Sequence, residues 1–237
     1  MKTLGIIAAP AWFDPTLEEI AARHRDEIRL NQTILLPPKF DYSFQAIRES
    51  EPKLLTASQQ LADAGCDLII QVGPAFAYQI GGTPQGAREF GRRLSDGCGV
   101  PVILNGVAVL DLLEATEAQK LTLACPYYDP DWKAELSGFL LEAGYDILTF
   151  QTFVDQGLFD DQDTVNARGY QFSEQEVTES VRRSFSAAPE SDAILVSGSG
   201  IRTLSWIKEM EQELGVPIVS ADQSLYLGMV NAFGLQT

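Results

Sequence analysis

Short apolar runs alternate with stretches of helical periodicity along the whole chain. Residues 4–9, 33–36, 67–72, 100–104, 121–125, 147–153 and 192–196 read as strands, several of them almost uninterrupted Val, Ile, Leu and Ala. A strand without polar alternation is one covered on both faces, as happens when helices flank a parallel sheet. Residues 18–29, 44–64, 86–94, 131–142 and 174–185 carry a helical spacing. In the second of these, Leu54, Leu55, Ala57, Ser58, Leu61 and Ala62 share one face, and Gly65 stops the pattern. A further amphipathic segment follows Gly200 at once. Strand and helix in alternation predict an α/β fold of parallel sheets flanked by helices.

The pattern also repeats. Asp67-Leu-Ile-Ile-Gln-Val-Gly73 aligns with Asp192-Ala-Ile-Leu-Val-Ser-Gly198. Downstream of each comes Gly-Val-Pro with apolar residues, at Gly99-Val-Pro-Val-Ile103 and Gly215-Val-Pro-Ile-Val219. Upstream, each unit opens on a strand that ends in proline, Ile6-Ile-Ala-Ala-Pro10 and Thr122-Leu-Ala-Cys-Pro126. Three matches in one order imply two similar lobes related by a pseudo-two-fold repeat. The first is expected to span residues 1–117 with a C-terminal return over 216–237, the second 118–215. The strand ends at Gly73 and Gly198 are then equivalent, and a cleft between the lobes is expected to lie between them.

Charge narrows the partners. The 237 residues carry 33 acids against 17 bases, a formal charge of −16. A field of that sign repels phosphate backbones and anionic lipid, so neither nucleic acid nor a membrane surface is an expected partner. An anionic ligand would need local N–H groups or a single Arg. The N-terminal apolar run is short and broken by Pro10, which fits a first strand better than a secretory signal. No apolar stretch approaches the roughly 20 residues of a membrane span. Cys66, Cys98 and Cys125 form no Cys-x-x-Cys pair, so a disulfide framework or a metal site is not expected and a cytoplasmic setting is. A homo-oligomer is left open.

Chemistry is expected where the strand at 192–196 empties into Ser197-Gly198-Ser199-Gly200. A small-residue turn at the carboxyl edge of a parallel sheet, opening a helix, presents backbone N–H groups to an anion.

Three segments carry a family resemblance: Thr122-Leu-Ala-Cys-Pro-Tyr-Tyr-Asp129, Ala187-Ala-Pro-Glu-Ser-Asp-Ala-Ile-Leu-Val-Ser197 and Glu211-Gln-Glu-Leu-Gly-Val-Pro-Ile-Val-Ser220. They resemble the aspartate/glutamate racemase superfamily, nearest its arylmalonate decarboxylase and maleate cis-trans isomerase branch. The resemblance implies two lobes, no metal or organic cofactor, and chemistry on small carboxylates by proton abstraction, decarboxylation or covalent addition. It also implies cysteine thiols at the two opposed strand ends, and there this chain departs from the family: the two places are Gly73 and Gly198. The decarboxylase branch shares the first glycine but follows it with Thr-Ser, whose hydroxyls hold the substrate carboxylate; here Pro74 and Ala75 stand there. Pro10, Tyr127 and the turn from Gly198 to Gly200 match the family pattern.

The resemblance makes Ser199 and Tyr127 the candidate catalytic residues, with Pro10, Gly73, Pro74, Ala75, Ser197, Gly198 and Gly200 lining the substrate. Each also has a plain structural reading. Ser199 fits an N-cap for the following helix, Tyr127 a strand-end tyrosine with a wet tip, and Asp129 a cap for the helix near Asp131. His24 sits among charges and reads as part of a solvated helix face. Cys66 and Cys98 read as inert, and Cys125 as packing at a strand end. Asn105 and Arg202 are further candidates to orient a ligand. The run Gly81-Gly-Thr-Pro-Gln-Gly86 reads as a mobile loop, and the aromatic segments at Trp12-Phe13 and 40–44 as walls of an apolar pocket or ordinary core edge.

The expected function is that of a cofactor-independent lyase or isomerase that takes a small carboxylate or dicarboxylate through an enediolate. The alternative is an inactive family member that binds a small anion.

Overall fold

The computed structural model of the protein describes residues 1–8, 14–35, 43–169 and 171–236. The chain divides into two compact units, Met1–Ala108 with Ser224–Thr237, and Val109–Gln223. The first contains β1 (Lys2–Ala8), α1 (Thr16–His24), β2 (Ile28–Ile34), α2 (Phe44–Arg48), α3 (Glu51–Asp63), β3 (Leu68–Gln71), α4 (Ala75–Gly81), α5 (Pro84–Cys98) and β4 (Val102–Leu104). Helix α6 (Asn105–Ala115) runs across the boundary. The second unit contains β5 (Lys120–Ala124), α7 (Pro130–Glu142), β6 (Asp146–Gln151), α8 (Gln162–Ala167), α9 (Glu174–Ala187), β7 (Ala193–Val196), α10 (Ile207–Leu214) and β8 (Ile218–Ser220). Helix α11 (Ala221–Phe233) returns the chain to the first unit. Strand β8 pairs with β7, so the second unit reaches Gln223, past the boundary at 215 read from the sequence.

Each unit holds a four-stranded parallel sheet, and the orders match: β2-β1-β3-β4 and β6-β5-β7-β8. Strands β3 and β7 are buried at every residue, as expected of central parallel strands. In the second unit Ile194, Val196, Phe153, Val177, Val181 and Trp206 share one core, each large apolar side chain contributing about 1.5–3 kcal/mol.

The repeated motifs set strand register. Asp67 donates its N–H to the Thr3 carbonyl at 2.8 Å and accepts the Thr3 N–H on its carboxylate at 2.8 Å. Asp192 does the same to Lys120, at 2.8 Å in both directions, and also accepts from Gln119 at 3.1 Å. Gly99 and Gly215 end α5 and α10 in the left-handed conformation, with φ of 71° and 74°. The prolines two residues later offer the carbonyls of Pro101 and Pro217 to Ile69 and Ile194, opening the next strand pair.

Several expectations are corrected. The helix read over 18–29 ends at His24, and Ile28 begins a strand that pairs with β1 from Lys2 onward. The charge on Arg29 and the polar side chains of Asn31 and Gln32 hid its strand character. The helix read over 44–64 is two helices, broken where the Ser50 hydroxyl bonds back to the Ile47 carbonyl and Pro52 starts α3. His24 is not on a solvated face: it is 4% exposed, bonded to Glu27 Oε1 at 2.9 Å and to the Tyr226 hydroxyl at 3.0 Å. The run 81–86 is a tight corner between α4 and α5, where Thr83 caps α5 through the Gly86 N–H. Helices α4, α6, α8 and α11 have no counterpart in the sequence reading. No helix among the described residues is long and apolar enough to cross a membrane.

Two predictions follow from this frame. A Cβ on Gly86 would overlap the Gly81 carbonyl oxygen, whereas one on Gly138, in exposed α7, meets nothing within 4 Å. Gly86→Ala should therefore cost about 3 kcal/mol, and Gly138→Ala should add about 0.5–1 kcal/mol, both read by urea unfolding. The N–H groups of Lys120 and Gln119 hold the Asp192 carboxyl below its ordinary pKa. A depressed carboxyl stabilises the fold above its unfolded pKa, about 3.9, and loses that effect as pH falls through the folded value. The urea midpoint of Asp192→Asn should thus lie below that of the parent at neutral pH and converge with it under acid.

Candidate functional site

Strand β7 delivers Ser197, 1% exposed, to the carboxyl edge of its sheet, where the serine hydroxyl lies 3.4 Å from that of Tyr128. Gly198 at φ 133° and Gly200 at φ 85° then bracket Ser199 in backbone conformations that side chains rarely adopt. The helix expected immediately after Gly200 starts only at Ile207. The cause lies nineteen residues downstream, where the Asp222 carboxyl group binds the Thr203 N–H at 2.7 Å and its hydroxyl at 2.8 Å. Residues held that way cannot enter a helical ladder, and Trp206 reinforces the loop by donating its indole N–H to the Arg202 carbonyl at 2.7 Å. Ser199 therefore caps no helix. Among the described residues, the N–H groups of Gly198 and Ser199 and the Ser199 hydroxyl donate to no protein acceptor. Successive unclaimed N–H groups at a sheet edge are a receptor for an anion.

Tyr127 lies directly on this turn. Its hydroxyl donates to the Ser199 carbonyl at 2.9 Å, and its own carbonyl accepts from Gln162 at 2.9 Å. A Cβ built on Gly198 would stand 2.5 Å from the Tyr127 hydroxyl and 2.7 Å from the ring carbon bearing it. The tyrosine thus fills the space that any side chain at 198 would need. Its ring stacks on Phe172, with centroids 6.1 Å apart and planes 13° from parallel. Phe172 packs on Phe153 and Phe159, and the Arg168 guanidinium lies 5.8 Å from its centroid while gripping both carboxylate oxygens of Glu176. The turn is walled by an apolar, aromatic shelf that the sequence reading missed, because its members are scattered over the segments on either side of α8.

The other candidates take supporting roles. Asp129 caps α7 through the Trp132 N–H. Cys125 is fully buried, and burial, the largest influence, pushes its thiol up to about 12. Cys66 and Cys98 are buried as well, with the Cys66 thiol raised mainly by desolvation. Neither Cys66 nor Cys125 offers a thiolate at neutral pH. Arg202 is exposed. No cluster of His, Cys, Asp and Glu among the described residues is arranged to hold a metal ion.

In the first unit Gly73, at φ 106°, ends β3 and donates its N–H to Asn105 Oδ1 at 3.2 Å. Asn105 also reaches the Ser224 hydroxyl at 3.4 Å, so it braces this turn. Pro74 is buried and Ala75 begins α4. Gln71, fully buried, donates to the carbonyls of Val72 and Gly73. Pro10, Trp12, Phe13 and residues 40–42 lie outside the described residues. Asp222, Thr203 and Ser220 escaped the sequence reading; the one available signal was an acid placed directly after the apolar run of β8.

A family model described as arylmalonate decarboxylase matches residues 42–237. The arylmalonate decarboxylase of Bordetella bronchiseptica is 27% identical over 191 residues, 81% of this chain and 74% of that protein. A crystal structure of arylmalonate decarboxylase superposes with a TM-score of 0.75 at 23% identity, covering 99% of this chain and 94% of the other. The maleate isomerase Iso of Pseudomonas putida S16 superposes at 0.73 with 15% identity, covering 99% and 93%. The Nocardia farcinica maleate cis-trans isomerase, in a variant carrying a covalently bound succinylcysteine intermediate, does so at 0.70 with 16% identity, covering 99% and 93%. With a family model spanning most of its length and decarboxylases and isomerases as its fold neighbours, this chain belongs to the arylmalonate decarboxylase family.

Proposed function

We propose that this protein is a cytoplasmic, cofactor-independent decarboxylase of malonate-type substrates, with Tyr127 as proton donor where relatives use a thiol. The observation that carries this reading is the overlap between the Tyr127 hydroxyl and the Cβ position of residue 198. Gly198 stands in the place the family gives to a cysteine, and the phenol occupies the volume that the missing side chain vacates.

In this mechanism the N–H groups of Gly198 and Ser199 and the Ser199 hydroxyl bind one carboxylate of the substrate. The bond from the central carbon to the second carboxylate breaks, carbon dioxide leaves, and the electron pair flows into the bound carboxylate as an enediolate. Fixed N–H dipoles stabilise that added charge without reorganisation. The Tyr127 hydroxyl then delivers a proton to the carbon, and water reprotonates the phenolate. The local N–H groups also answer the charge problem, because the net −16 of the chain opposes an anion everywhere else. The shelf of Tyr127, Phe172 and Phe159 suits an aromatic substituent on the substrate.

A panel of aryl- and alkyl-substituted malonates, followed by carbon dioxide release and solvent deuterium incorporation, should show turnover. Tyr127→Phe keeps the ring and should lower kcat by about 100-fold, the scale of lost general-acid catalysis. Ligand binding with no turnover and no deuterium incorporation would instead establish a binding protein. Gly198→Cys tests the steric part of the reading. Alone it should lower the thermal midpoint and cost about 2–3 kcal/mol, from the positive φ and the clash with Tyr127. Combined with Tyr127→Ala it should recover part of that loss, and an additive double variant would show that the two positions are not coupled.

A further inference from the structure

Asp222 is 6% exposed and lies at the start of α11, and among the described residues its carboxyl group bonds to hydroxyls and backbone N–H groups. Its Oδ2 accepts the Thr203 N–H at 2.7 Å, and its Oδ1 lies 2.8 Å from Thr203 Oγ1 and 2.7 Å from Ser220 Oγ. Those two hydroxyl oxygens are themselves 2.6 Å apart, and Ser220 Oγ also accepts the Gln223 N–H at 3.2 Å. No ion pair reaches Asp222 among the described residues. Three oxygens therefore make three mutual contacts at hydrogen-bond distance, whereas Thr203 and Ser220 own only two protons between them. A short O···O approach with no proton in it is repulsive, so the triangle closes when Asp222 carries the third. Burial acts in the same direction, pushing the Asp222 carboxyl above its ordinary value.

We propose that Asp222 is a positioning residue that acts as a neutral acid, pinning Thr203 and so fixing where the chain leaves the turn at Ser197–Gly200. The inference rests on reading that turn as the site. It adds to it the device that holds the segment between the turn and α10 in place. Thr203 lies three residues past Gly200, and its N–H and hydroxyl both bond to Asp222. With the pin released, residues 201–206 lose that anchor and open to solvent, which would displace the N–H groups of Gly198 and Ser199.

The proton count separates the variants. Asn at 222 offers N–H where a neutral acid offers O–H, and still accepts the Thr203 amide, so Asp222→Asn should retain the pin. Asp222→Ala and Thr203→Val should lose it, and Thr203→Ser, which keeps the hydroxyl, should not. The experiment is backbone amide exchange on the full-length variants. The expected result is at least a tenfold rise in exchange at 201–206 for Asp222→Ala and Thr203→Val, and less than threefold for Asp222→Asn and Thr203→Ser. Amides of β5 and α9 should stay unchanged. Should Asp222→Ala not fold, the two Thr203 variants carry the comparison. Unchanged exchange at 201–206 in Thr203→Val, or an equal rise throughout the second unit, overturns the proposal. So does a loss in Asp222→Asn as large as in Thr203→Val, since that is the behaviour of a charged carboxylate. Where a malonate is turned over, kcat should fall at least tenfold with the lost protection while KM changes less. The exchange pattern without turnover of any malonate by the parent leaves the pin standing and removes the decarboxylase reading.

Discussion

Both sheets depend on one bond pattern made twice: an aspartate at the start of a central strand exchanging two hydrogen bonds with the first residues of its neighbour. Asp67 grips Thr3 and Asp192 grips Lys120, each through its own N–H and its carboxylate. A parallel strand buried on both faces has little in its side-chain pattern to oppose a slip, because every register buries apolar groups. The aspartate removes that ambiguity at one end. The position of the other end, where Gly73 and Gly198 sit, is then a matter of counting residues along the strand.

At that far edge the two units have diverged. The Gly73 turn is braced by Asn105 and runs directly into α4. The Gly198 turn is held open by Asp222 and roofed by Tyr127. Steric exclusion and polar contact meet in one residue there, since the phenol that forbids a side chain at 198 also donates to the Ser199 carbonyl. The aromatic shelf behind Tyr127 keeps that hydroxyl from swinging away: stacking on Phe172, itself held by Arg168, leaves the ring little freedom.

How much of this was legible can be judged from particular residues. The alternation of buried strands and helices, the two-lobed repeat and the turn at 197–200 all follow from local pattern, and the structure carries them. The failures share a cause. His24 was placed in solvent because its sequence neighbours are charged, yet its burial depends on Tyr226, some two hundred positions away. The helix expected after Gly200 was a fair reading of propensity, overruled by a carboxylate from beyond the next strand. The corner at Gly81–Gly86 looked mobile because glycine permits many conformations, whereas here it permits one close approach of two backbones.

Sequence by itself determined the fold class, the repeat of the two units and the glycines at the two strand ends, because those follow from residue identity and from local pattern. Only the tertiary structure decided what fills the space beside Gly198 and what shapes the turn. Tyr127 and Gly198 are 71 positions apart, and Asp222 reaches Thr203 across an intervening helix and strand. Such groups meet only once the sheet has brought its strand ends to a common edge, and no periodicity along the chain records that meeting.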